Sequence, residues 1–314
     1  MRRHVVLGSA LAVVLVLASC SSLTAGRAAP TGTPGPVIGP PPAPVVVVAA
    51  GDIACPAGAR TTEDECQQEA TAALVEELAP SAVLALGDTQ YEEARTEEFA
   101  SYDASWGRFL DITHPVAGNH EYQSGDAEDY FGYFGDRAGT PDQGWYSVDV
   151  GPWHVVVLNS QCGKVGGCEA DSPQGEWLAA DLAEHPARCT LAAWHDPRFS
   201  SGAEHGDEKS VAPLWELLDD AGADVVLTGH DHIYERYAPQ TADGKADGDG
   251  MVQIVVGTGG EELRELADTR PNSEVRWNSS FGVLAMTLRP DGYDWRFVGT
   301  PGAPEVDSGS ASCV

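Results

Sequence analysis

The sequence predicts an α/β fold, a four-layer α/β/β/α sandwich in which two mixed β-sheets are flanked by helices. From Pro44 onward, short β-branched runs alternate with helical stretches, which is typical of α/β layers. The last three predicted strands have no helix between them, so part of the sheet structure is expected to be antiparallel. Polar clusters directly follow several strands, as in sheets that hold a ligand at one edge.

The elements follow in order from this pattern. Val45–Ala49 is a continuous apolar run, as expected for a strand that is buried on both faces. Thr62 and Glu65 form a capping-box pattern that predicts the start of a helix, which continues through Leu78 and ends before Pro80. Further strands are predicted at Ala82–Leu86, Trp153–Leu158, Thr190–Trp194, Val225–Thr228, Gln253–Val256, Val283–Leu288 and Tyr293–Val298, a short extended piece at His114–Ala117, and helices at Pro173–Glu184 and Val211–Ala221.

The N-terminal residues predict export and tethering. Residues 1–19 combine a basic start with an apolar run that is too short to span a bilayer comfortably, so they are interpreted as a signal peptide. Residues 17–20, Leu-Ala-Ser-Cys, are typical of a lipoprotein cleavage box. We therefore expect a lipid on Cys20 and a bacterial membrane lipoprotein facing outside; an ordinary signal peptide and a secreted protein are the alternative. Residues 20–43 are rich in Pro, Gly and Ala and predict a tether, followed by a single domain over 44–314.

The acidic composition restricts the partners. The formal net charge is −30, which argues against nucleic acid as a partner. Anionic ligands would be repelled as well, unless bound cations invert the local field.

Seven cysteines are present, and six remain once Cys20 is assigned to the lipid. An even number in an exported protein predicts three disulfides, although six cysteines allow 15 pairings. Two pairs of cysteines are close in the sequence and are expected to bond to each other, which leaves the remaining two for the third bond. The expected bonds are Cys55–Cys66, Cys162–Cys168 and Cys189–Cys313. None of these residues forms a CxxC pattern, so a thiolate zinc site is not expected.

Five polar clusters carry the candidate chemistry. They are Gly51-Asp52, Gly87-Asp88-Thr89-Gln90-Tyr91, Gly118-Asn119-His120-Glu121, His195, and Gly229-His230-Asp231-His232. Each cluster supplies carboxylate, amide, phenol or imidazole donors, and the glycines allow the sharp turns that direct these donors inward. Because ligands collect at the carboxyl ends of strands in α/β sheets, we expect the clusters to form one metal site.

In this order the clusters resemble the motifs of the calcineurin-like metallophosphoesterases, and the resemblance covers residues 45–298. The Gly-Asp-x-x-Tyr block that ends at Tyr91, and Gly-His-Asp-His-Ile-Tyr-Glu-Arg over 229–236, are similar to the purple acid phosphatase branch. Ala54 stands where other branches have a histidine and where this branch has a glycine. The resemblance implies the metallophosphoesterase type of sandwich.

The resemblance also implies two metal ions that share Asp88. One would be held by Asp52, Asp88, Tyr91 and His232, and the other by Asp88, Asn119, His195 and His230. A phenolate donor favours Fe(III) at the first position, and the donors of the second suit a divalent ion, Zn, Mn or Fe.

Further residues are expected to contact substrate. Asn119 and His120 are expected to bind it, and His120 to stabilise charge or to protonate the leaving oxygen. His205, on the loop after His195, is a second candidate catalytic histidine. Arg198 could pair with phosphate in a bidentate manner, although a surface ion pair explains it equally well.

The leading functional hypothesis is a phosphomonoesterase acting on small phosphate esters outside the cell membrane. A phosphodiesterase or nucleotidase with the same metal site is the alternative, since only the pocket walls would differ. A third hypothesis is a non-catalytic metal-binding lipoprotein. Neither His-Glu-x-x-His nor Gly-x-Ser-x-Gly occurs in the sequence, so a zinc protease or a serine hydrolase of these types is not supported.

Overall fold

The computed structural model describes residues 43–187 and 189–314. The predicted signal peptide, the lipid attachment at Cys20 and all but the last residue of the predicted tether lie outside these residues. No helix in the described ranges is long and apolar enough to cross a bilayer.

Within these ranges the chain forms thirteen strands, five α-helices and three short 3-10 helices. The strands are β1 (Val45–Ala50), β2 (Ala82–Ala85), β3 (Thr113–Pro115), β4 (Tyr146–Val150), β5 (Trp153–Val157), β6 (Thr190–Ala193), β7 (Val225–Thr228), β8 (Tyr234–Tyr237), β9 (Val252–Val256), β10 (Ser273–Trp277), β11 (Gly282–Arg289), β12 (Gly292–Gly299) and β13 (Ser308–Ser312). The α-helices are α1 (Gln68–Leu78), α2 (Ala100–Ala104), α3 (Glu128–Phe134), α4 (Pro173–Glu184) and α5 (Ala212–Asp220). The 3-10 helices are Trp106–Ile112, His120–Tyr122 and Gly135–Ala138.

The strands form two mixed sheets. The six-stranded sheet has the order β13-β12-β11-β1-β2-β3, with β1, β2 and β3 parallel. The seven-stranded sheet has the order β10-β8-β9-β7-β6-β5-β4, with β5, β6, β7 and β9 parallel. The predicted pair of mixed sheets is therefore confirmed, including antiparallel pairing of β11 with β12.

The inner faces of the two sheets share one apolar core. The Trp153 ring lies 5.6 Å from that of Tyr293, and the Tyr234 ring 4.6 Å from that of Phe297, so aromatic residues join the sheets. Helix α1 contacts β1 and β11 of the first sheet, whereas α4 and α5 are the crossovers between parallel strands of the second sheet and contact each other. This arrangement brings the carboxyl ends of β1, β2, β6 and β7 to one region.

The predicted start of the first helix is wrong. Helix α1 begins at Gln68 rather than at Thr62. Cys66 has a φ of +60° and a disulfide to Cys55, and its backbone N–H donates to the Glu261 carbonyl. A left-handed residue in this bridge cannot belong to an α-helix, so the segment before it forms a turn instead.

The three disulfides join the predicted partners, Cys55–Cys66, Cys162–Cys168 and Cys189–Cys313. The last bond spans 124 residues and connects the start of β6 to the segment after β13. Because these strands belong to different sheets, this bond links the two halves of the sandwich.

Candidate metal centre

The predicted donors converge at the carboxyl ends of strands from both sheets. Asp52 follows β1 and Asp88 follows β2, whereas His195 follows β6 and His230 follows β7. Asp52, Asp88 and His230 have φ values of +59°, +46° and +70°. Each such conformation costs a residue with a side chain about 1–3 kcal/mol and is typical of functional sites. These sharp turns direct the side chains between the two sheets.

One group of donors surrounds the Tyr91 hydroxyl, and all its members are buried. The Tyr91 oxygen lies 3.0 Å from Asp52 Oδ1, 3.2 Å from Asp88 Oδ2 and 3.1 Å from His232 Nε2. His232 Nε2 is also 3.3 Å from Asp52 Oδ1. These four side chains are those implied for the first metal ion.

A second group surrounds His195 Nε2. This nitrogen lies 3.1 Å from Asp88 Oδ2, 3.2 Å from Asn119 Oδ1 and 3.2 Å from His230 Nδ1. Asp88 Oδ2 therefore takes part in both groups. The structure brings together all seven predicted metal-binding residues, although their role as ligands stays a prediction.

The donor atoms fit cations because most of them offer lone pairs to one another. His195 Nδ1 is 2.8 Å from the Leu86 carbonyl oxygen, so the ring proton lies there and Nε2 is free to accept. In the same way, His232 Nδ1 faces the Glu262 carbonyl at 3.1 Å. Lone pairs this close repel each other unless positive charge lies between them, and bound cations would supply it.

Backbone donors hold the opposite oxygens of both carboxylates. The His230 N–H donates to Asp52 Oδ2 at 2.8 Å, and the His120 N–H donates to Asp88 Oδ1 at 2.8 Å. These bonds fix the orientation of both carboxylates, so that Asp52 Oδ1 and Asp88 Oδ2 face the other donors.

The pKa values of the buried aspartates and histidines depend strongly on each other's charges. Burial acts to raise the pKa of Asp88, but neighbouring His195 outweighs it and holds that pKa below its usual range. Burial would lower the pKa of His232, yet Asp52 outweighs it and raises the pKa to about 9. Burial, then the charge of His195, lowers the pKa of His230 to about 3. Burial would likewise lower the pKa of His195, yet Asp88 outweighs it and raises that pKa well above its usual value, so the carboxylates attract positive charge.

The surroundings of Tyr91 oppose ionisation of its phenol. Burial, followed by the charges of Asp52 and Asp88, raises the pKa of its phenol well above the usual value. A phenolate at this position therefore needs a nearby cation of high charge, which agrees with the trivalent iron expected at the first position.

Glycines permit the close approach of these loops. A Cβ on Gly118 would lie 2.3 Å from Asp88 Oδ1 and 2.6 Å from Asp88 N, where no carbon can be accommodated. Gly87 has a φ of +88°, and a Cβ there would be 2.5 Å from His195 Nδ1. Space therefore requires glycine at both positions, and at Gly87 the backbone conformation requires it as well.

Glu121 ties two of the loops together. Its carboxylate is buried and accepts from the backbone N–H groups of Asp88 and Thr89, from the Thr89 hydroxyl and from the Gly118 N–H, at 2.7–2.9 Å. This fixes the turn after β2 against the turn after β3, and with it the distance between Asp88 and Asn119.

The two candidate catalytic histidines border the centre. The His120 ring lies 4.2 Å from that of Tyr91, and its Nε2 is 3.9 Å from Asp88 Oδ2. The His205 ring stacks on that of His230, with centroids 4.0 Å apart. Both rings therefore border the two donor groups, and their catalytic roles stay predictions.

Arg198 is placed differently. Its Cζ lies 4.5 Å from the centroid of the Phe199 ring, and burial lowers the pKa of its guanidinium. Among the described residues, no hydrogen bond or ion pair joins it to the predicted metal ligands. Its role in phosphate binding stays a prediction without a supporting contact.

Two carboxylates at the centre were missed by the sequence analysis. Asp196 is buried, its Oδ1 lies 3.5 Å from His230 Nε2, and it is held by hydrogen bonds from Ser160 and Gln161. Glu261 Oε2 lies 3.3 Å from His232 Nδ1. Each faces the ring nitrogen that points away from the centre, as carboxylates beside metal-binding histidines do. The position of Asp196 directly after His195 was the available signal.

Comparisons with known proteins show the family. The family model described as calcineurin-like phosphoesterase matches residues 42–234. Purple acid phosphatase 18 of Arabidopsis thaliana is 32% identical over 203 residues, which are 56% of this chain and 45% of that protein. Purple acid phosphatase 21 of the same plant is 33% identical over 220 residues, 62% of this chain and 48% of that protein. The chain thus spans about half the length of the curated relatives it matches.

Among solved structures, a purple acid phosphatase from yellow lupin seeds is similar in fold. The TM-score is 0.67 at 19% sequence identity, over 86% of this chain and 54% of that one. This likeness confirms the predicted type of two-sheet sandwich.

Proposed function

Because the chain belongs to the calcineurin-like phosphoesterase family, we propose that it is a phosphomonoesterase that hydrolyses small phosphate esters with two bound metal ions. One observation carries the proposal: Asp88 Oδ2 lies within 3.2 Å of both the Tyr91 oxygen and His195 Nε2, and so belongs to both donor groups. A single bridging carboxylate oxygen between two sets of donors is the arrangement that a pair of cations needs.

The donors differ in ways that favour different ions. The first group contains a phenol and two carboxylates, which suit Fe(III), and the second contains two imidazoles and an amide, which suit Zn, Mn or Fe(II). Two of the relatives matched are named purple acid phosphatases, which supports the assignment of a phosphatase activity. Two cations so placed would activate a water molecule and stabilise charge on the phosphoryl oxygens.

The remaining residues would bind and orient the ester. The His120 ring is fixed by its Nδ1, which lies 2.5 Å from the Glu92 carbonyl oxygen, so its Nε2 is the nitrogen that faces the centre. In that position a ring protonated at both nitrogens can hydrogen bond to the leaving oxygen through Nε2–H and transfer that proton to it. His205, whose ring stacks on that of His230, can donate to a phosphate oxygen.

We also propose that the enzyme acts outside the cell. Its three disulfides are compatible with an oxidising compartment. A lipid on Cys20, if attached as the sequence predicts, would hold the enzyme at the membrane.

The experiment is phosphate release by the purified chain from an aryl monoester and an aryl diester, with Fe, Zn and Mn added back to metal-free protein. His195→Ala is the loss-of-site variant, and His185→Ala changes a half-exposed histidine outside the centre. We expect metal-dependent turnover that prefers the monoester, is lost in His195→Ala and is kept in His185→Ala. Preference for the diester would favour the phosphodiesterase alternative, and metal binding without turnover would favour the non-catalytic one.

A further inference from the structure

Asp231 lies between two predicted metal ligands but faces away from the centre. His230 and His232 contact the donor groups, whereas the buried Asp231 carboxylate accepts from the backbone N–H of Gly206 through Oδ2 at 3.1 Å. The turn after β7 therefore supplies two imidazoles on one side and an anchor for a different loop on the other.

The anchored loop, residues 200–206, fits this carboxylate closely. A Cβ on Gly202 would lie 2.2 Å from Asp231 Cγ and Oδ1, so only glycine allows the loop to pass there. A second anchor holds its beginning, where the Ser201 N–H and hydroxyl donate to the two oxygens of buried Glu235 at 2.7 and 2.6 Å. The loop is thus fixed at both ends to one segment, 231–235.

The loop carries His205, whose ring stacks on His230 at 4.0 Å. Arg264 contacts the edge of the His205 ring, since its NH1 lies 2.9 Å from His205 Nε2. The backbone N–H of Arg264 donates to the His232 carbonyl. A guanidinium can only donate, so Nε2 accepts and the ring hydrogen is on Nδ1. His205 therefore has one N–H, that of Nδ1, to offer to a ligand.

We propose that Asp231 is a positioning residue: through the Gly206 N–H it holds His205 over His230, with Nδ1–H available to a phosphate oxygen of the ester. The inference rests on the proposed phosphomonoesterase function. Asp231, the acidic residue of the Gly-His-Asp-His motif, would therefore position a substrate-binding side chain and would not bind a metal ion.

A double-mutant cycle tests the proposal in the full-length, metal-loaded chain. His205→Ala should lower kcat/KM roughly 100-fold, as loss of one preorganised donor does. Asp231→Ala should lower it about tenfold or more, because a displaced ring no longer meets the phosphate. In the His205→Ala background, Asp231→Ala should have no further effect, since both changes remove the same interaction. Asp231→Asn keeps an oxygen acceptor and should stay within about threefold of the wild type.

Metal content and amide exchange separate this role from a general structural one. Both Asp231 variants should bind metal as the wild type does, while the Gly206 amide should exchange faster in Asp231→Ala and remain protected in Asp231→Asn. Additive effects in the cycle, or loss of metal from Asp231→Ala, would overturn the proposal.

The exchange measurement does not depend on activity. If the wild type showed no turnover, the proposed function would fail, and an unchanged Gly206 exchange rate in Asp231→Ala would separately refute the anchoring by Asp231.

Discussion

Asp196 supports the donor group around His195 but is not itself a predicted metal ligand. Its substitution therefore tests metal binding by this group while all the predicted ligands are kept. Its carboxylate lies 3.5 Å from the outer nitrogen of His230, and Ser160 and Gln161 hold it there. Such a carboxylate orients the ring and increases the basicity of the inner nitrogen.

We predict that Asp196→Asn weakens binding of the divalent ion about 10- to 100-fold, as loss of comparable outer partners does. Calorimetric titration of metal-free protein with Zn measures it. Asp149→Asn is the matched control, because it alters another Asp–His pair, with Asp149 Oδ1 3.2 Å from His154 Nδ1 and outside the centre. An unchanged affinity in Asp196→Asn would show that Asp196 does not support His230.

The sequence predicted the candidate metal ligands but not the residues that support them. Asp52, Asp88 and His230 could be found because each follows an apolar strand next to a glycine. Asp196 and Asp231 carry no such signature. Their roles depend on which loop passes beside them, and that is set by the packing of both sheets.

Among the elements, the fully buried parallel strands were predictable because their apolar runs are continuous. Strand β13, Ser-Gly-Ser-Ala-Ser, was not predicted, because it is an exposed edge strand without an apolar face. Strand β8 was not predicted either, because its residues were considered only as the end of the motif at 229–236. The start of α1 was misplaced because a disulfide and a left-handed Cys66 override the local capping pattern. Tertiary contacts decided the structure in these cases.

The starts of β6 and β7 contain a pH-dependent contact at Asp224. Its carboxylate accepts from the backbone N–H groups of Thr190 and Val314, both at 2.8 Å. Burial raises its pKa to about 6, above the value of about 3.9 expected in the unfolded chain. The folded state therefore binds the proton more tightly. This contribution to stability is fully present below about pH 4 and is lost as the pH rises through about 6.

We predict that the Tm advantage of wild type over Asp224→Asn is largest near pH 4 and decreases toward pH 7, because the asparagine cannot ionise. Thermal melts across this range measure it. A difference in Tm that is independent of pH would contradict the assigned pKa shift.

The whole molecule is held together by a core between two sheets and by one long-range disulfide. Cys189–Cys313 has a sequence separation of 124 residues, whereas Cys162–Cys168 has a separation of 6. In the chain-entropy model the stabilisation grows with loop length, to about 5 kcal/mol for the long loop and about 2 kcal/mol for the short one.

We predict that replacing Cys189 and Cys313 by serine lowers the free energy of unfolding by more than the matched replacement of Cys162 and Cys168 does. Denaturant unfolding of the two double variants measures the difference. Equal losses would mean that the long bond does not restrict the unfolded chain as proposed.

The most direct test of the central claim is turnover of an aryl phosphomonoester as metal ions are added stepwise to the metal-free full-length chain. Two donor groups that share Asp88 predict a rate that rises and saturates at two equivalents of metal per chain, with no turnover by His195→Ala at any ratio. Saturation at one equivalent, or a folded chain that binds metal and never releases phosphate, would contradict a two-metal phosphoesterase.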